Sequence, residues 1–208
     1  MTDSDLVTRA RAGAEDAWAE LVHRHQGAVF RMTHAALLHH EEAEEAAQDT
    51  WISAWRQLEA FRGQAAFRTW LLAIAWRKAV DRRRGVLAWV RAVRLDRTGD
   101  DHDQAVIELT STAASAEAVA IDRQARARVR RVVKGLPRRH RDALLLMATG
   151  DLAYDEAPAL LCVPVGTLKW RVSDARRLLR ERMAVAAAPP GPGGQRKKKP
   201  RNKRPPLP

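Results

Sequence analysis

The sequence predicts an all-α fold: two small helical domains joined by a flexible linker and followed by a disordered basic C-terminal tail. Three observations carry this. Apolar residues recur at helical spacing along most of the chain, and the alternation expected of strands is almost absent. Glycine is scarce before the tail. Composition shifts twice: near residue 86 to acidic and small polar residues, and at Ala184 to Pro/Gly followed by Lys/Arg.

Taken in order, helices are expected at about 4–12, 15–38, 41–58 and 66–84, then at about 117–134, 138–149, 155–162 and 165–183. These form a first domain (1–85) and a second (117–183), with a linker (86–116) and a tail (184–208). In the helix from Glu41, the residues Ala47, Trp51, Ala54, Trp55 and Leu58 share the expected core face. Glu45, Asp49, Ile52 and Arg56 lie across from them, with Gln48 at the border. An apolar Ile52 among charges points to a protein partner. The helix after the loop Phe61–Ala66 is apolar on nearly every side between Trp70 and Trp76. Those tryptophans are either the centre of a bundle or, beside Arg77, Lys78, Arg82 and Arg83, a platform on which bases stack while cations track phosphates. Pro137 fits a helix start. The linker's Trp89 and Val90 are apolar enough to pack against a domain. Pro158 is compatible with a short helix capped at Asp155. A start at Tyr154 would place it inside, at a cost of about 3 kcal/mol.

The net charge is +12, so a polyanion is the first partner to expect. The last 25 residues hold seven Lys/Arg and no acid, leaving +5 for the rest. Segregation within that remainder is sharper: residues 41–49 carry five acids and no base, 77–84 net +4, 96–117 net −5 and 165–182 net +4. The acidic linker is suited to folding back on a basic face. The single Cys162 excludes an internal disulfide and a multi-cysteine zinc site. His39-His40-Glu41-Glu42 lacks the spacing that puts two metal ligands and a base on one helix face, and His23 and His25 diverge on a helix. No metal, cofactor or enzymatic activity is expected. With no apolar run of membrane-spanning length and no secretory signal, the expected location is the cytoplasm, at the nucleoid when the chain is engaged on DNA.

The second domain reads as helix-turn-helix. A short helix, a tight turn through Val163-Pro164 and a longer basic helix, GTLKWRVSDARRLLRERM, form the duplex-reading arrangement. Leu168, Val172, Ala175, Leu179 and Met183 form its buried stripe. Trp170, Ser173 and Arg177 project the other way toward base edges, where Trp covers a thymine methyl and Arg forks onto guanine. Thr167, Lys169, Arg171 and Arg176 are placed for phosphates.

The run EEAEEAAQDTWISAWRQLEAFRGQAAFRTWLLAIAWRKAVDRRR, followed after a linker by LPRRHRDALLLMATGDLAYDEAPALLCVPVGTLKWRVSDARRLLRERM, resembles bacterial RNA polymerase sigma factors. The resemblance is to the short, two-domain, extracytoplasmic-function group of the sigma-70 family. It spans roughly residues 5–84 (region two) and 117–183 (region four). It implies that Glu42-Ala43-Glu44-Glu45 through Gln48-Asp49 docks on the clamp helices of the polymerase largest subunit, with Glu44, Glu45, Gln48, Asp49, Ile52 and Arg56 as the contact face. It further implies that Arg62, Gly63 and Gln64, with Trp70, Trp76, Arg77, Lys78, Arg82 and Arg83, melt the minus-ten element and capture a flipped base. Gly166-Thr167-Leu168-Lys169 matches the G-T-V-K that opens the minus-thirty-five reading helix, and region four also meets the polymerase flap. Implied partners are core RNA polymerase and promoter DNA, with an anti-sigma factor as a candidate regulator and no membrane insertion.

The chain departs from the family pattern at three places. After Ile74-Ala75, Trp76-Arg77-Lys78 stands where the family's I-A-R-N-R has R-N-R, so the usual asparagine is lost; Trp170 and Asp174 replace a serine and an arginine on or beside the groove face, and Pro158 replaces an alanine. The promoter sequence therefore cannot be borrowed from relatives. The rival function is a stand-alone helix-turn-helix regulator that binds duplex DNA without polymerase. The tail segment RKKKPRNKR is suited either to non-specific nucleic-acid affinity or to solubility.

Overall fold

The computed structural model describes the backbone of residues 1–94 and 116–187, and the side chains of 1–85 and 123–185. Among these residues every regular element is helical. α1 (Asp3–Arg11) opens on a capping box, Thr2 Oγ1 accepting from the Asp5 N–H and the Asp5 carboxylate accepting from the Thr2 N–H. α2 (Glu15–Leu37) is the long central helix and ends where Leu38 adopts a left-handed φ of 58°. α3 (His40–Gln57) starts with the His39 ring accepting from the Glu42 N–H. A single 3₁₀ turn (Leu58–Ala60) leads to the loop before α4 (Phe67–Arg94). α5 (Ala116–Lys134), α6 (Arg138–Ala148), the short α7 (Ala157–Leu161) and α8 (Val165–Ala187) complete the chain.

Helices α2, α3 and α4 pack on one another, with α1 across α2; α6 and α8 form the second unit with α5 and α7. Leu6, Leu21, Met32, Leu71 and Leu72 fill the space among the first helices and Leu146, Leu168 and Val172 that among the later ones, all within one continuous apolar cluster. Buried Thr33 stitches α2 to α3 by donating to the Ala43 carbonyl at 2.9 Å. His25, 2.7 Å from the Asp3 carboxylate, pins α1 to α2.

Several sequence expectations change here. α4 runs to Arg94, through the first nine residues assigned to the linker. Gly85 costs a helix interior about 1 kcal/mol, yet VLAWVRAVR has no proline and is rich in helix formers, so the backbone continues. α8 likewise runs four residues into the assigned tail, over Ala184–Ala187. Pro158 sits in the first turn of α7, with Glu156 as cap, where its missing N–H costs no helical bond. The core face of α3 is rotated from the expected one. Ala43, Ala46, Thr50, Ser53 and Ala54 are buried, whereas Trp55 stays half exposed against Trp18, ring centroids 5.0 Å apart. Packing three helices closely on α2 selects small residues at the contact, and the indoles are displaced to its edge. The acidic segment 96–115, the packing of Trp89 and Val90, and the tail from residue 188 lie outside the described residues.

His34 carries a stability prediction. Its Nε2 is buried without a hydrogen-bond partner among the described residues, its ring stacks on Phe30, and burial, then His40 and Arg130, push it below the ordinary histidine value of 6.5. The unfolded chain therefore takes up this proton more readily than the folded one, and stability falls as pH drops below about 6.5. Replacing His34 with Phe is expected to flatten that dependence in melting temperatures measured from pH 7.5 to 5.5. Parallel curves for variant and parent would refute it.

Candidate nucleic-acid and polymerase interface

On α3 the residues Glu44, Glu45, Gln48, Asp49, Ile52 and Arg56 are all exposed and form one outward stripe, with Ile52 50% exposed. At its edge the stripe is tied to α4: Arg82 donates to Glu45 and lies 3.8 Å from Asp49. Arg82, expected on the DNA, thus borders the acidic stripe instead.

The loop between the 3₁₀ turn and α4 presents Arg62, Gly63 and Gln64 to solvent. Gly63 has a φ of 68°, in the left-handed region, and open space where a Cβ would stand. Any other residue would meet backbone strain of about 1–2 kcal/mol rather than a clash. Arg11 anchors the base of this loop, donating to the Leu58 carbonyl at 2.9 Å and to the Phe61 carbonyl, with its guanidinium over the Phe61 ring. Nothing in the sequence marked Arg11, because its targets are carbonyls some fifty residues away. Phe61 in turn lies on Trp70 with centroids 4.9 Å apart, leaving Trp70 half buried at the foot of the loop.

Trp76 requires a correction. It is only 4% exposed and belongs to the core with Leu72 and Ala79, so it offers no face to a base. Helical geometry explains this: Leu72, Ala75, Trp76 and Ala79 are three or four apart, on the stripe that faces α2 and α3. Arg77 is exposed and Lys78 half buried just beyond it. Arg83, also expected on the DNA, is engaged within the chain: its side chain is 12% exposed, and it donates to the Ala36 carbonyl at 3.0 Å and to Asp142 at 2.8 Å.

That last pair belongs to a contact between the two helical units. Asp151, just after α6, is 4% exposed. Its carboxylate accepts from Arg31 Nε at 2.9 Å and Nη2 at 2.6 Å, and from Arg68 Nη2 at 2.5 Å, while Arg68 Nη1 donates to its carbonyl. Alongside, the Thr69 hydroxyl donates to Glu156, whose carboxyl is held below its usual range by the Ala153 N–H and by Thr69. Carboxylates of the second unit thus occupy cations and a hydroxyl of the first.

The second unit presents α8. Leu168, Val172 and Ala175 are buried, while Trp170, Ser173, Lys169, Arg176 and Arg177 are exposed and Thr167 and Arg171 are half buried. This is the face the sequence indicated, but its charges are not equally available. Arg177 donates to Asp174 at 2.5 and 3.1 Å and to Glu181 at 2.8 Å, contacts that raise its pKa. Lys169, Arg171 and Arg176 have no such carboxylate partner among the described residues. Replacing Lys169 with Ala is therefore expected to reduce the salt dependence of DNA binding by about one unit, and Arg177→Ala to change it less. Equal slopes for the two variants would count against this division.

No helix of the described residues is long and apolar enough to cross a membrane. Residues 21–99 match the model of Sigma-70 region 2. Over 186 residues the chain is 32% identical to the RNA polymerase sigma-H factor of Pseudomonas aeruginosa, covering 85% of this chain and 91% of the relative. It is 29% identical over 184 residues to the ECF RNA polymerase sigma-E factor of Escherichia coli K12, covering 86% and 93%. Among solved structures, CnrH in complex with the cytosolic domain of CnrY aligns with a TM-score of 0.61 at 23% identity, covering 89% of this chain and 99% of that one. RpoE of Bartonella quintana in complex with the anti-sigma factor NepR aligns with a TM-score of 0.62 at 21% identity, covering 80% and 96%. A basic helix-turn-helix face and an acidic stripe on one helical chain, together with this similarity over most of its length, make the assignment: the chain belongs to the extracytoplasmic-function group of RNA polymerase sigma factors.

Proposed function

We propose that this sigma factor docks on the clamp helices of core RNA polymerase through the α3 stripe of Glu44, Glu45, Gln48, Asp49, Ile52 and Arg56. Arg62, Gln64, Trp70, Arg77 and Lys78 then melt and hold the minus-ten element, and α8 reads the minus-thirty-five element through Trp170 and Ser173, with phosphate contacts from Thr167, Lys169, Arg171 and Arg176. The observation that carries this reading is the separation of an acidic, Ile52-bearing face on one unit from a basic, Trp170-bearing face on the other. Flipping a base costs a few kcal/mol, which the half-buried Trp70 and the cations beside it help offset. In the closed arrangement Arg68 and Arg83 are engaged by Asp151 and Asp142, and binding of polymerase is what releases them. The chain acts in the cytoplasm. Because the Bartonella RpoE was solved in complex with the anti-sigma factor NepR, an anti-sigma protein is proposed as a partner here as well.

The test is run-off transcription with the full chain and sigma-free core polymerase on fragmented genomic DNA. Discrete starts sharing two upstream elements are expected, and Ile52→Asp should reduce transcription at limiting polymerase by about tenfold without lowering the melting temperature, an apolar contact being exchanged for a buried charge. Duplex binding by the free protein with no transcript would favour the stand-alone regulator.

A further inference from the structure

The outward face of α8 does not stand alone. The Trp170 indole is 60% exposed, yet one side of it lies against the His140 ring of α6, with centroids 5.4 Å apart and planes at 60°. His140 is set nearly inside, with its side chain 17% exposed. Its Nε2 is 3.1 Å from Asp174 Oδ2, but out of line for a hydrogen bond, and both ring nitrogens are shielded from solvent without a hydrogen-bond partner among the described residues. A buried polar group left unpaired is costly and calls for a reason. The contacts supply one. His140 fills the space between α6 and the two residues, Trp170 and Asp174, that stand one turn apart on the groove face of α8. Asp174 in turn holds Arg177, and Arg177 reaches Glu181.

The consequence concerns what this face can read. An arginine already donating to two carboxylates is poorly placed to fork onto a guanine, because leaving them forfeits charge-assisted bonds that the base must replace. A large indole held against a half-buried ring presents an apolar plane at the sixth residue of the helix, within the N-terminal part of a recognition helix that meets base edges. The apolar feature of the major groove is the thymine methyl.

We propose that His140 is a positioning residue for promoter selection: it holds Trp170 against a thymine methyl of the minus-thirty-five element, so that this position is read by apolar contact while Asp174 keeps Arg177 from reading guanine. The inference rests on the promoter-reading function proposed above.

The test uses the full chain with core polymerase on a promoter taken from the run-off starts, with each minus-thirty-five thymine replaced in turn by uracil, which lacks only the methyl. For the parent protein one thymine is expected to respond, with occupancy falling about fourfold, the equivalent of one buried methyl group. Trp170→Ala and His140→Ala should abolish that response and leave the other positions unchanged. His140→Phe, which keeps the ring contact and removes the unpaired nitrogens, should restore it; this variant also serves if His140→Ala melts too low to assay. Asp174→Ala should add preference for guanine at a neighbouring position through the released Arg177. The proposal is overturned if no thymine responds, if His140→Ala keeps the response, or if it weakens every position equally. A template with a pre-melted minus-ten element separates the two levels. Transcription from it together with uracil indifference sinks this inference alone, whereas no transcription from it sinks the sigma reading and this inference with it.

Discussion

Asp151→Ala is expected to open the contact between the two helical units and to raise binding of the free protein to single-stranded minus-ten DNA by about tenfold. The Asp151 carboxylate is buried and accepts from two arginines. Charge-assisted hydrogen bonds are worth about 1.5–3 kcal/mol each when shielded. Here Arg31 and Arg68 keep 55% and 39% of their side-chain surface in water, so each bond is discounted toward the value of a surface pair. A total near 2 kcal/mol follows, about a thirtyfold change in the closed-to-open ratio. Arg83–Asp142 and Thr69–Glu156 remain, which reduces the expected gain in DNA binding. Interdomain energy transfer or solution scattering should show expansion, with Asp151→Asn intermediate because it keeps the shape and loses the charge. Unchanged dimensions and unchanged DNA binding would show that Asp151 does not hold the units together.

Trp76→Ala should have the largest effect on stability, about 3–5 kcal/mol, as expected for removing a buried aromatic side chain. A large part of the protein's marginal stability would be lost, and transcription would fall because the fold is weakened rather than because a DNA contact is missing. Trp76→Phe separates the explanations. It leaves a smaller cavity and should recover most of the melting temperature and most of the transcription. Trp70→Ala, at a half-buried site on the Phe61 ring, should reverse the balance, with a smaller loss of stability and a larger loss of minus-ten strand retention. A well-folded Trp76→Phe protein that cannot retain the melted strand would restore Trp76 to the DNA interface.

How much was legible beforehand differs from element to element. The stripe Leu168, Val172, Ala175 on α8 could be read directly, because one face of an isolated amphipathic helix is set by the 3.6-residue period and needs no knowledge of its neighbours. The first-turn position of Pro158 in α7 was legible for the same local reason: a proline lacks a donor that only the first turn can spare. α3 was harder. Its tryptophans are its most apolar residues, yet Ala43, Ala46 and Ala54 take the core where α3 packs on α2 and α4. Trp76 was open between two readings for a related reason, since a helix apolar on several sides does not say which side its neighbours will cover.

The sequence by itself determined the all-helical architecture, the two oppositely charged faces and the likeness to sigma factors, all of which follow from local periodicity, local charge and motif order. Only the tertiary structure decided which charges on those faces are free. Arg83 is consumed by Asp142 and Arg82 by Glu45, while Trp170 gains His140 as a support. Those partners come from other helices. Whether a cation meets phosphate or carboxylate depends on distances of a few ångströms between segments far apart in the chain, where Coulomb attraction and desolvation are both steep.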